Sequence, residues 1–229
     1  MTYVFAPPAI ASVPVMGTGA RFPVRRVFCV GKNYADHVAE MGGAPGEADP
    51  VFFTKPADAV FVPEERGALR YPSMTDDLHY EAELVVALGA GGEDVGEAEA
   101  GALVYGVAVG CDVTRRDRQA DAKAAGAPWD LAKALDDGAV IGAITPGGAP
   151  SSGRLSLSVN GEVRQDADLS AMIWSVPAIV ARLSQAFALR AGDLIYTGTP
   201  EGVGPLSPGD AVRIEAAGCA PCAFEVAPR

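Results

Sequence analysis

Short apolar segments recur along the chain and constrain its fold more than any other feature. They are Val27–Val30, Val51–Thr54, Glu83–Leu88, Leu103–Val109, Leu155–Val159, Leu194–Thr197 and Ala211–Ile214. Gly- and Pro-rich turns separate them, such as Gly42-Gly43-Ala44-Pro45-Gly46 and Pro146-Gly147-Gly148-Ala149-Pro150. That spacing predicts a mainly β architecture of the α+β kind, organised as one compact body. Helical patterns are fewer: Tyr34–Met41, Arg116–Ala125 and Ser175–Phe187. The last places Val176, Ile179, Val180, Leu183 and Phe187 at helical spacing, with Ser175 as N-cap ahead of Pro177, and reads as a packing helix. Val159-Asn160-Gly161-Glu162-Val163 carries the strongest short hairpin signal, an Asn-Gly turn between strands. No period of about 20 to 50 residues repeats.

Charge bounds the function. The 229 residues carry a formal net charge of −11, which argues against nucleic acid and anionic membrane surfaces as partners. If the substrate is itself anionic, the protein must reverse its field locally with a bound cation and basic residues such as those of Thr114-Arg115-Arg116-Asp117-Arg118. No basic region precedes the N-terminal apolar stretch, which Pro7, Pro8 and Pro14 interrupt, and no apolar run approaches the roughly 18 residues of a membrane span, so the expected location is cytoplasmic. The four cysteines, Cys29, Cys111, Cys219 and Cys222, are too few for a disulfide framework. Cys219-Ala-Pro-Cys222 lacks a second pair, and the only histidines are His37 and His79, so the motif reads as incidental.

The chemistry concentrates in His79-Tyr80-Glu81-Ala82-Glu83-Leu84-Val85-Val86-Ala87-Leu88. Alternation puts Tyr80, Ala82, Leu84, Val86 and Leu88 on one face, with His79, Glu81, Glu83, Val85 and Ala87 on the other. Two adjacent carboxylates repel unless a cation lies between them, although exposed Glu is common and the pattern also fits a solvated strand. Asp112 shifts the balance, because it ends the apolar run Leu103–Cys111 and a carboxylate at the end of a buried strand needs a partner. Three carboxylates without a His or Cys ligand favour a hard cation, Mg2+ or Mn2+, with Ca2+ also possible.

These segments resemble the fumarylacetoacetate hydrolase superfamily, and within it the small acylpyruvate hydrolases. The resemblance runs through Val27-Phe28-Cys29-Val30-Gly31-Lys32-Asn33-Tyr34-Ala35-Asp36-His37, Phe53-Thr54-Lys55-Pro56, Leu78–Leu84, Cys111-Asp112-Val113-Thr114-Arg115-Arg116-Asp117, Pro128-Trp129-Asp130-Leu131-Ala132-Lys133 and Gly192–Pro205. It implies a mixed β-roll with a few peripheral helices, usually dimeric, with an N-terminal extension over residues 1–24 and a catalytic domain over 25–229. It implies Mg2+ or Mn2+ on Glu81, Glu83 and Asp112, and it assigns His37 and Glu40, three apart on a short helix, to the activation of water. Leu169–Pro177 looks most like the fumarylpyruvate hydrolases of gentisate breakdown, so the expected reaction is fumarylpyruvate plus water to fumarate plus pyruvate.

In that reaction a cation would hold the 2-oxo acid end and stabilise charge as pyruvate departs. His37 would take a proton from water, with Glu40 orienting it. Lys133 is expected to neutralise an oxyanion, and Lys55, Arg116, Gln119 and Thr199 to contact the substrate or position water. Gly42 and Gly43 would let the helix act as a lid. Arg115 and Asp117 read as local ion pairs, and Trp129 and Trp174 as packing residues. Two rivals stand beside this reading: an oxaloacetate decarboxylase or unsaturated keto-acid isomerase on the same scaffold, and a non-enzymatic β protein holding a structural ion.

Overall fold

The computed structural model describes residues 2–40 and 50–229. The largest sheet is mixed, and its strands run in the order Val51–Lys55, Arg26–Gly31, Asp193–Tyr196, Ala82–Leu88, Val104–Asp112, Ala139–Ile141, Val60–Phe61. Thr145–Pro146 adds to the flank of Val104–Asp112. A five-stranded sheet lies over one face, in the order Glu162–Asp168, Arg154–Val159, Ala211–Ala216, Cys222–Ala227, Leu69–Arg70. The result is the strand-rich architecture that the recurrence of short apolar segments predicts, curled into the roll that the family resemblance implies.

Alternation along Ala82–Leu88 explains why the strand is covered on both sides. Ala82, Leu84, Val86 and Leu88 enter the main core with Leu155, Leu157, Ile179, Leu183 and Ile214, whereas Val85 and Ala87 face a second core with Val27, Cys29, Ile141 and Tyr196. The helix Val176–Ala186 packs on the main core as its spacing requires, and the Ser175 hydroxyl caps it by accepting from the Ala178 N–H at 3.3 Å. Asn160 and Gly161 both take positive φ, 53° and 81°, the geometry of a two-residue hairpin turn.

Three expectations change. The first residues are not merely an extension: Ser12–Pro14 and Arg21–Pro23 form a hairpin whose Val13 and Phe22 are buried in the second core. The stretch 79–88 is not one strand. Leu78–Tyr80 pairs with Thr114–Arg115 and Gly204–Leu206 in a small separate sheet, and the chain changes sheets at Glu81. Arg115 forms no ion pair among the described residues, and its guanidinium donates instead to the Leu131 carbonyl at 2.9 Å; Asp117 does pair, with Arg118. Cys219 and Cys222 are both free, with Cys222 in the core. Gly42, Gly43 and Met41 lie outside the described residues.

Candidate active site

The change of sheet at Glu81 builds the site. Glu81 sits at the junction and Glu83 is two residues into the next strand, so both side chains point from one face. Asp112 ends the adjacent antiparallel strand, in which Ala82 is paired with Cys111. The three carboxylates are buried, and one oxygen from each lies within 4.8 Å of the others.

A cavity of about 280 Å3 opens over them. Its wall includes His37, Arg116, Gln119, Lys133 and Thr199, all named from the sequence. Lys133 Nζ donates to Glu81 Oε2 at 2.7 Å, Asp112 Oδ2 at 2.8 Å and Thr114 Oγ1 at 2.7 Å, which uses all three of its protons. Arg116 reaches Glu81 and donates to Gln119 Oε1 at 2.6 Å. The His37 Nδ1–H donates to Glu40 Oε2 at 3.2 Å, so Nε2 is left as the basic nitrogen. Glu40 also accepts from the Gly202 N–H at 3.1 Å, tying the helix Ala35–Glu40 to the C-terminal loop. Thr199 Oγ1 accepts from Gln165 Nε2 at 2.9 Å, which frees its own proton to donate.

Lys55 is placed differently from the sequence reading. It does not line the cavity; its ammonium lies behind the carboxylates, donating to the Val113 carbonyl at 3.1 Å and to the Lys133 carbonyl, and pairing with Asp112 at 2.8 Å. Trp129, read as packing, stands in the cavity wall beside Phe53, whereas Trp174 packs against the main core. Two positioning residues escaped sequence reasoning. Gln165, buried in an otherwise polar strand, accepts from the Ala82 N–H while holding Thr199 and the Pro200 carbonyl. Asn33 spans Trp174 and the Thr197 carbonyl. His79 accepts at Nδ1 from Arg116 and bonds Asp77 through Nε2 at 2.9 Å, so it holds the arginine.

Electrostatics tests whether a cation fits. Burial pushes the Glu83 carboxyl well above the usual carboxylate range, and repulsion from Asp112 and Glu81 adds to this against the bond it receives from the Gly198 N–H. Burial acts the same way on Glu81, but Lys133 and Arg116 together outweigh it and hold that carboxyl far below its ordinary range. Among the described residues Asp112 Oδ1 meets only the Lys55 ammonium, as an ion-pair contact at 2.8 Å without hydrogen-bond geometry. A buried set of three carboxylates, one of them raised by burial and by its neighbours' charge, suits a hard divalent cation. Gly198 adopts φ +98°, and a Cβ there would come within 2.7 Å of Asn33, so only glycine brings this N–H to Glu83.

Comparison with known proteins agrees with this geometry. The family described as fumarylacetoacetate (FAA) hydrolase, C-terminal, matches residues 26–227. The oxaloacetate tautomerase YcgM of Escherichia coli (strain K12) is 42% identical over 197 residues, covering 84% of this chain and 89% of its own. A fumarylpyruvate hydrolase of a Ralstonia species is 41% identical over 179 residues, covering 77% and 92%. Among solved structures, a fumarylpyruvate hydrolase from Pseudomonas aeruginosa in complex with Mn2+ and pyruvate superposes with a TM-score of 0.97 at 45% identity, over 100% of both chains. With a matched profile over nearly its whole length and relatives this similar, the chain belongs to the fumarylacetoacetate hydrolase family.

Proposed function

We propose that the protein is a divalent-metal-dependent hydrolase of an acylpyruvate, with fumarylpyruvate as the substrate of choice. The observation that carries the reading is the pairing of a buried oxygen-only carboxylate triad with a histidine in the same cavity wall whose Nδ1 meets Glu40. The related hydrolase that holds Mn2+ and pyruvate, matching this chain over its full length, supports it. A cation on Glu81, Glu83 and Asp112 would supply Lewis-acid polarisation of the 2-oxo acid end.

The residues of the chain account for the rest. His37 takes a proton from water as its oxygen adds to the acyl carbonyl, and Glu40 stabilises the resulting imidazolium. The bond between that carbonyl carbon and C3 then breaks, its electron pair passes into the departing pyruvate as an enolate, and a proton returns to C3. Water is thus divided between a carboxylic acid and pyruvate. Thr199 and Arg116 donate to the substrate's oxygens, and Gln165 and His79 hold those two donors in place. Lys133, whose protons are all engaged, sets the charge on the carboxylates and thereby the strength of their field.

A second reading, oxaloacetate tautomerase, is favoured by the name of the E. coli relative. Tautomerisation moves a proton between C3 and oxygen without adding water, and like the decarboxylase and isomerase considered from sequence it needs no base for water. The two are separated by products. Metal-stripped protein is mixed with fumarylpyruvate and with enol-oxaloacetate, each with and without Mn2+. Equal amounts of fumarate and pyruvate, formed only with metal and lost in H37A, establish the hydrolase. Enol-to-keto conversion without cleavage of fumarylpyruvate moves the function to tautomerisation.

A further inference from the structure

The basic residues of the cavity fall into two groups. Arg116 and Lys133 are held by Glu81 and Asp112 at the inner end. Lys123 and Lys32 also line the cavity, are exposed at its rim, and among the described residues have no carboxylate within ion-pair distance. They are close enough to repel each other, and burial, Arg116, Lys32 and Lys133 all depress the Lys123 ammonium. In a chain with a net charge of −11, two cations without a carboxylate partner among the described residues therefore stand together at the mouth of the cavity.

An apolar wall joins the two groups. The Lys133 ammonium lies 5.1 Å from the Phe53 ring centre, Phe53 and Trp129 meet at 5.8 Å, and the Lys123 ammonium lies 5.5 Å from the Trp129 ring centre. The wall thus begins beside the carboxylates and ends under an unpaired cation. Flat aromatic faces suit a planar carbon chain, and a cation at their end suits an anion.

We propose that Lys123, assisted by Lys32, is a specificity-determining residue that binds the distal carboxylate of the acyl group, while Phe53 and Trp129 carry the chain between. The protein then selects acylpyruvates whose acyl group ends in a carboxylate over those that end in a methyl group. The inference takes its ligand class from the acylpyruvate reading, but its test needs no turnover.

Binding of two seven-carbon 2-oxo acids, 2-oxopimelate and 2-oxoheptanoate, is measured by calorimetry on the Mn2+-loaded protein. They differ only in the distal carboxylate. The wild type is expected to prefer 2-oxopimelate by about tenfold or more, the range of a charge-assisted hydrogen bond. K123M/K32M is expected to abolish the preference, and K123R to retain most of it, because charge rather than packing is what counts. Equal affinities in the wild type, a preference that survives the double substitution, or parallel loss of both ligands overturns the inference. If 2-oxopimelate is preferred but no acylpyruvate is cleaved, the hydrolase reading fails and the carboxylate site stands.

Discussion

Burial pushes the His37 imidazole below its ordinary range, against the opposing pull of Glu81 and Glu40. It is therefore neutral at neutral pH, as a base must be, and it becomes protonated only as pH falls through the lowered value. The acid limb of kcat/KM is expected to have its midpoint below about 6.5, the unperturbed histidine value. In E40Q the imidazolium loses its partner, so that midpoint should move lower still while kcat falls by about tenfold or more. A pH–rate profile of the two proteins checks both, and an unmoved acid limb in E40Q would separate Glu40 from His37. Asp112 was legible because a carboxylate ending a buried strand needs a partner, and it drew in Glu81 and Glu83, whereas His37 was legible only through the family resemblance. Lys55 reads from the sequence as a substrate contact, because residue type alone does not show that its side chain reaches the back of the carboxylates rather than the cavity. Trp129 beside Pro128 reads as packing because a sequence does not show that its ring faces a void. Gln165 gave no signal at all, because it sits among Glu162, Arg164 and Asp166 in a strand that looks solvated.

At the scale of elements, alternation identified both faces of Ala82–Leu88, and the Asn-Gly turn fixed the register of the hairpin around it, with Val159 opposite Glu162. The break at Glu81 was not legible, since the period of two continues through it and hydrogen-bond partners leave no periodic trace. The parallel pairing of Arg26–Gly31 with Asp193–Tyr196 was equally hidden. It is anchored by Asp193, fully buried, which accepts from Arg26 at 2.8 and 3.1 Å, from Arg25 at 3.1 Å and from the Arg190 N–H at 2.9 Å. Removing one partner of such a cluster strands the others, so D193A is expected to cost about 3 kcal/mol in denaturant unfolding. The loss should exceed that from R25A, because the Arg25 side chain is half-exposed and water can replace its contact. Equal effects would mean that the ion pairs, rather than the buried anchor, join the two strands.

For the molecule as a whole, the carboxylate triad sets stability against readiness for a cation. Glu83 is raised in the fold by burial, Asp112 and Glu81. Its protonated form therefore contributes stability that is fully present below its unfolded value and is lost as pH rises through the folded one. Metal-free protein should therefore lose thermal stability over the interval of pH above the ordinary glutamate range, as the raised Glu83 carboxyl gives up its proton. A bound cation takes the place of that proton, so stabilisation by saturating Mn2+, about 2.7 kcal/mol at a hundredfold excess over Kd, should grow across the same interval. The corresponding rise in Tm would be about 5 to 10 °C for a chain of this size. E83Q resembles the protonated side chain in shape and charge. At high pH it should melt above the metal-free wild type while gaining little from Mn2+. If E83Q instead melts lower at every pH and keeps the full response to metal, Glu83 is a structural carboxylate and the cation is held without it.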